Sequence, residues 1–212
     1  MLFVLTAALA LAGPDLDLLV HAGGYPAGAE QRGRSAAALV RVLVDPDGRV
    51  VRCETMAMVG YQDLAAQACV RARHRKVRPA VDAGGAAAWS QATTMVQFYA
   101  PGLDEADEVA RNGPGPDAEL TVSRLPGGAR QTDLKVVLAV DEHGVATDCA
   151  IDPGAAPQKS ATGSGATGVG AVGLVRAVCA SRAALGLKPV TAPDGRALRY
   201  VAPLTVRLTA SG

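Results

Sequence analysis

Aromatic side chains make up only 3 % of these 212 residues, with a single tryptophan, Trp89. Ala, Val, Leu and Gly dominate instead, so any core must be built from small aliphatic side chains. The formal net charge is +1, which gives no overall field to draw the chain to nucleic acid or an anionic membrane. Histidine is scarce (His21, His74 and His143), and no two cysteines stand in a CxxC spacing, which argues against a zinc site. No metal and no cofactor is expected. Beyond the N-terminus no apolar run approaches the length needed to cross a bilayer.

What is present is an internal repeat. With Cys53 aligned on Cys149, Ala38-Leu-Val-Arg-Val-Leu-Val-Asp45 lies over Leu134-Lys-Val-Val-Leu-Ala-Val-Asp141, and Gly48 falls on Gly144. After a Gly/Ser/Ala/Thr stretch that lengthens the second copy by fourteen residues, Leu64, Cys69, Val77, Pro79, Val96 and Phe98 fall on Leu174, Cys179, Leu187, Pro189, Val206 and Leu208. A repeat of this size fixes the architecture first. It implies two small domains of one fold, each with its own cysteine pair: Cys53 with Cys69, and Cys149 with Cys179. Four buried free thiols are the alternative, but an aliphatic core does not require Cys at both equivalent places in both copies. Paired disulfides imply an oxidising compartment. Each would contribute about 3 to 4 kcal/mol in the chain-entropy model.

The N-terminus supports export. Leu2 to Leu11 is an apolar run of signal-peptide length, and both Ala8-Leu-Ala10 and Ala10-Leu-Ala12 are small-x-small cleavage patterns. The leader is assigned to residues 1–12, although no Lys or Arg precedes the apolar run. The mature chain is expected to be soluble and periplasmic, with no stable membrane anchor after cleavage.

The first copy, 24–100, opens with a turn or two of helix at 25–33. An alternating strand runs from Ala38 to Asp45, turns tightly through Asp45-Pro-Asp-Gly48 and returns over 49–55. A helix with Leu64, Ala68 and Ala72 on one stripe covers 61–74, and a last strand covers 93–99. Residues 101–119, rich in Pro, Gly and acidic side chains, read as a linker. The second copy, 120–212, repeats the plan with a mobile loop over 153–170, a helix from Gly173 to about Leu185 and a last strand around Leu204, Val206 and Leu208. The fold class is therefore α+β: two small repeats of a three-stranded antiparallel sheet packed on helices. One cysteine of each pair sits on a strand face turned toward the helix that carries its partner, a placement compatible with the Cα separation of a disulfide.

Tyr25-Pro26-x-x-Ala29-x-x-x-Gly33, the alternating strand, Asp-Pro-Asp-Gly, a second strand, a Leu/Ala helix and Val77-Arg-Pro-Ala80 before a last strand together resemble the C-terminal domain of TonB. The resemblance covers residues 24–99. The second copy looks like a degenerate version that keeps the hairpin, both cysteines and Leu187-Lys-Pro-Val190 but lacks the Tyr-Pro opening. The resemblance implies a periplasmic, non-catalytic domain that binds an extended segment of an outer-membrane receptor by adding it as a strand to its sheet. It places the contact on Tyr25 and Pro26 and on the last strand of copy one: Thr94, Met95, Val96, Gln97, Phe98 and Tyr99. The inner-membrane anchor and Pro-rich spacer of that family's transducers are not read in this sequence, so a binding module is expected rather than a complete transducer.

Other signals carry less. Gly163-Ser-Gly-Ala-Thr-Gly168 fits a dinucleotide fingerprint, but it follows a hairpin strand in a low-complexity stretch with no acid about twenty residues on. Arg71, Arg73, His74, Arg75, Lys76 and Arg78 suit a helix C-terminus whose cations complement its dipole. No histidine stands near a nucleophile with an orienting acid, and no enzyme is expected. The alternative to peptide binding is a structural envelope protein whose sheet edges close by self-association or by the two copies pairing with each other. Oligomeric state and the identity of the partner are left open.

Overall fold

A computed structural model of the chain describes residues 11–20, 28, 32–98, 115–153 and 169–211. In chain order the elements are α1 (Asp17–Val20), β1 (Ala36–Val44), β2 (Val50–Gly60), α2 (Gln62–Ala65), α3 (Gln67–Arg73), β3 (Ala80–Val81), β4 (Ala87–Ala88), β5 (Ser90–Phe98), β6 (Ala118–Val122), β7 (Gln131–Val140), β8 (Ala146–Ile151), α4 (Val169–Ala180), β9 (Val190–Thr191), β10 (Ala197–Leu198) and β11 (Tyr200–Ala210). The fold is α+β.

Both main hairpins are closed by the same chemistry. Asp45 N–H donates to Arg49 O, Gly48 N–H to Asp45 O, and the Asp45 carboxylate accepts Arg49 N–H at 2.8 Å. Asp141, Gly144 and Val145 repeat this set, again with the carboxylate bond at 2.8 Å. Gly48 and Gly144 hold φ of +81° and +82°, a region that only glycine enters without strain. Each turn also presses against the segment that follows its own helix, Val77 in one case and Lys188-Pro189 in the other.

The strands do not form two separate three-stranded sheets, as the repeat suggested. They join into one seven-stranded sheet ordered β2-β1-β5-β11-β7-β8, with β6 paired to β11. The last strands of the two halves, β5 and β11, meet in parallel, and this junction is the Ser90↔Val201 bridge.

The helices lie on opposite faces of this sheet. Ala36, Ala38, Val40, Val42 and Val44 of β1 share a core with Leu64, Ala68, Cys69 and Ala72 of α2 and α3. Leu43 points the other way, into the cluster built around Leu174 and Val178 of α4 with Val136, Leu138 and Val140 of β7. The odd face of β7 packs elsewhere, with Val137 and Val201 burying against Leu11 and Ala80. Each half thus lends small residues to cover the back of the other: Leu11 and Ala80 on one side, the β9–β10 hairpin on the other. Arg52 reinforces the latter by donating to Thr191 O at 3.0 Å.

Both cysteine pairs are bonded, Cys53–Cys69 with Cα atoms 5.4 Å apart and Cys149–Cys179 with 5.6 Å. Several boundaries differ from those read in the sequence. β2 runs five residues past Thr55 to Gly60, because β1 pairs with it down to Ala36↔Gly60, and the added Met56 is absorbed by a bulge opposite Leu39/Val40. The expected single helix over 61–74 is two pieces broken at Ala66. The linker assigned to 101–119 ends early, since Ala118 already pairs with Val206. α4 begins at Val169, inside the stretch assigned to a loop. Leu11 and Ala12, assigned to the leader, belong to the fold: Leu11 is 3 % exposed, and Ala12 exchanges two backbone hydrogen bonds with Val81.

Candidate functional site: a strand edge opened at Pro203

β5 pairs with β1 in unbroken register from Ser90↔Val44 to Phe98↔Ala36. On its other side the first contact is Val201 N–H donating to Trp89 O at 2.8 Å. Backbone groups of alternate residues point to the same side of a strand. Gln91, Thr93, Met95 and Gln97 therefore turn their N–H and C=O groups toward β11.

The same alternation along β11 directs residues 201, 203 and 205 toward β5. Val201 pairs. Position 203 is proline, which has no N–H to donate and is excluded from a continued central ladder. Thr205 is already occupied: its N–H donates to the Asp117 carboxylate at 2.7 Å and its C=O accepts Asp117 N–H at 2.8 Å. From Val206 onward β11 pairs with β6. Pairing between β5 and β11 therefore stops after one bridge, and among the described residues no strand pairs with β5 on this side beyond it.

The divergence leaves a cleft of about 680 Å³, whose walls include Thr93 and Thr94 of β5, Pro203 and Thr205 of β11, Asp117 and the arm at Leu16. Crowding around Asp117 pushes its carboxyl above the ordinary carboxylate value, against the lowering effects of the Thr205 N–H and of Arg41.

Of the residues assigned to peptide contact, Thr94, Met95, Val96, Gln97 and Phe98 lie on β5. Val96 and Phe98 are 1 % and 2 % exposed, with side chains in the helix-facing core. Their backbone groups face β1 and their side chains are buried, so neither contributes to the open edge. Thr93, unassigned in the sequence reading, joins Met95 and Gln97 as an outward backbone position. Tyr25, Pro26 and Tyr99 lie outside the described residues, as do His21 and residues 163–168. Pro203, Asp117 and β6 were not anticipated. The signal for the first was a proline within an otherwise regular strand, at the position equivalent to Thr93.

The basic cluster serves the fold. Arg73 donates to Cys53 O at 3.1 Å, the Arg71 guanidinium stands 5.8 Å over the Phe98 ring, and Arg78 pairs with Asp15. His143 sits in the turn held by Asp141. Among the described residues no group of three His, Cys, Asp or Glu is placed to hold a metal ion, and no helix is long and apolar enough to cross a membrane.

Residues 23–99 match the family described as the Gram-negative bacterial TonB protein C-terminal. No curated protein and no solved structure matches the chain.

Proposed function

We propose that this chain, with its TonB C-terminal domain at residues 23–99, is a non-catalytic periplasmic module connected with transport across the outer membrane. It takes an extended peptide segment of an outer-membrane or envelope protein onto the free edge of β5 by strand addition. The second half, a degenerate copy of the same domain, holds that edge in place. The observation that carries this reading is the outward row Thr93, Met95 and Gln97, which among the described residues has no strand partner where Pro203 interrupts the junction. An unpaired row of this kind is a template for an incoming strand.

An NMR titration of the oxidised protein with receptor peptides of TonB-box type tests it. Amide shifts should concentrate on Thr93, Met95 and Gln97 and on the neighbouring β11 residues. Pro203→Val restores the missing N–H, extends the β5–β11 ladder toward Thr93 and should weaken the peptide at least tenfold while leaving the protein folded. Shifts absent at about millimolar peptide, or equal binding by Pro203→Val, would count against the reading.

A second reading rests on a different edge. The outer side of β2 is eleven residues long, has no strand partner among the described residues, and exposes Met56, Met58 and Val59 by 43, 46 and 57 %. No proline or lysine guards it, and such edges favour edge-to-edge association. A structural role through self-association follows from that edge. Sedimentation at rising concentration, with Met58→Lys as the control that should remain monomeric, separates the two readings.

A further inference from the structure

The first residues of the described chain form a strap across both halves. The Leu11 side chain is buried with Ala80 of the first half and with Val137 and Val201 of the second. Ala12 exchanges hydrogen bonds of 3.0 and 2.9 Å with Val81. Gly13 lies so close to β11 that a side chain there would meet the Pro203 ring at 3.1 Å. Asp15 N–H donates to Arg78 O, and its carboxylate accepts Asp17 N–H and pairs with Arg78, both of which hold its pKa below the ordinary carboxylate value. Leu16 and Leu19 then enter the core of the first half.

Two small-x-small patterns compete for leader removal: Ala8-Leu-Ala10, releasing Leu11, and Ala10-Leu-Ala12, releasing Gly13. Cleavage at the second would delete the apolar anchor that touches both halves and the backbone pairing with Val81. Strand pairing across the junction is a single β5–β11 bridge. The packing of Leu11 therefore adds to that of Ala80 and Leu43, and to the Arg52–Thr191 hydrogen bond, in holding the halves together. The same strap, from Ala12 to Asp17, forms one wall of the cleft beside Thr93 and Thr94.

We propose that the leader is cut between Ala10 and Leu11, and that the new N-terminus folds as the strap closing the β5–β11 junction. The cut hydrolyses the Ala10–Leu11 peptide bond, with water adding across it to leave a carboxylate on Ala10 and an α-ammonium on Leu11. It is made on the extended precursor before folding, when Leu11 is not yet buried. The proposal rests on the export reading, and its test keeps the two apart.

The intact mass of the chain recovered from the periplasm of a Gram-negative host reads the N-terminus directly. A mass beginning at Leu11 is expected. A periplasmic chain beginning at Gly13 or later overturns the cleavage site and leaves export standing. An uncut chain confined to the cytoplasm removes export and the proposal together. A second measurement compares chains prepared to begin at Leu11 and at Gly13. Losing the buried leucine should lower the folding equilibrium constant of the Gly13 form by a factor of about ten to a hundred, and amide exchange at Val201 should quicken. Equal stability and equal exchange would show that Leu11 closes nothing.

Discussion

The two halves of the molecule share a plan of hairpin, helix, short hairpin and last strand, yet they spend their last strands differently. β11 is occupied along both edges, by β7 over its whole length and by β5, Asp117 and β6 in turn on the other side. β5 is satisfied along one edge, and on the other, among the described residues, it has a single bridge to β11. At equivalent positions one strand has Thr93, with a backbone N–H to offer, and the other has Pro203, with none. On the proposed reading recognition belongs to the first half and support to the second, and the difference between them lies in backbone hydrogen bonds rather than in core composition.

The largest test of that division is removal of each disulfide. The bonds close loops of 16 and 30 residues, so the chain-entropy model gives about 3 to 4 kcal/mol to each and about half a kcal/mol more to the second. Because one sheet joins the halves, each paired Cys→Ala variant should unfold in one transition, read by denaturant titration at two spectroscopic probes. Loss of Cys149–Cys179 that melts the second half alone would break the comparison, since a support that unfolds independently holds no edge in place.

The hairpin glycines sharpen it. A Cβ on Gly48 would stand 2.0 Å from the Val77 carbonyl oxygen, whereas on Gly144 the nearest atom is Pro189 N at 2.8 Å. Both positions require positive φ, so Gly48→Ala and Gly144→Ala are both destabilising. The first should lose about 3 kcal/mol and the second about 1 kcal/mol less. Equal losses, measured by thermal and denaturant unfolding, would mean that φ strain alone governs both turns and that the first is not the more tightly closed.

Much of this organisation is legible in the sequence. The alternation of Val40, Val42 and Val44, the Asp-x-x-Gly turns and the helical stripe of Leu64, Ala68 and Ala72 are local signals, and the cysteines pair where the strand and helix faces meet. What the sequence does not carry is the joining of the halves. A parallel junction of one bridge leaves no periodicity to read, and β6 is a five-residue strand that begins at Ala118, within the end of a stretch whose Pro, Gly and acidic composition reads as linker. The extension of β2 through Met56-Ala-Met-Val59 hides behind a bulge that breaks the two-residue period. Pro203 was visible as a strand interruption, but its meaning depends on which strand lies beside it.

The smallest effects come at the junction itself, where Ser90 and Tyr200 occupy equivalent places. Ser90 is fully buried, and its Oγ has no hydrogen-bond partner among the described residues. Tyr200 is 4 % exposed and donates its hydroxyl to Lys188 O at 2.8 Å. Ser90→Ala removes an unpaired hydroxyl and should stabilise by up to about 1 kcal/mol, while Tyr200→Phe strands a carbonyl and should cost about the same. Burial also raises the Tyr200 pKa above the ordinary phenol value. The unfolded phenol ionises at its ordinary value while the folded one stays neutral, so folding moves no proton below about pH 10 and must take one up above it. Stability contributed by neutral Tyr200 is then whole below about pH 10 and declines as the pH climbs toward the raised value. Tyr200→Phe should be less stable than the parent at neutral pH, and the gap should narrow above pH 10. A gap that stays constant to pH 11 would show that Tyr200 ionises as freely when folded as when unfolded, and that the second half's side of the junction is as open to water as the edge of β5.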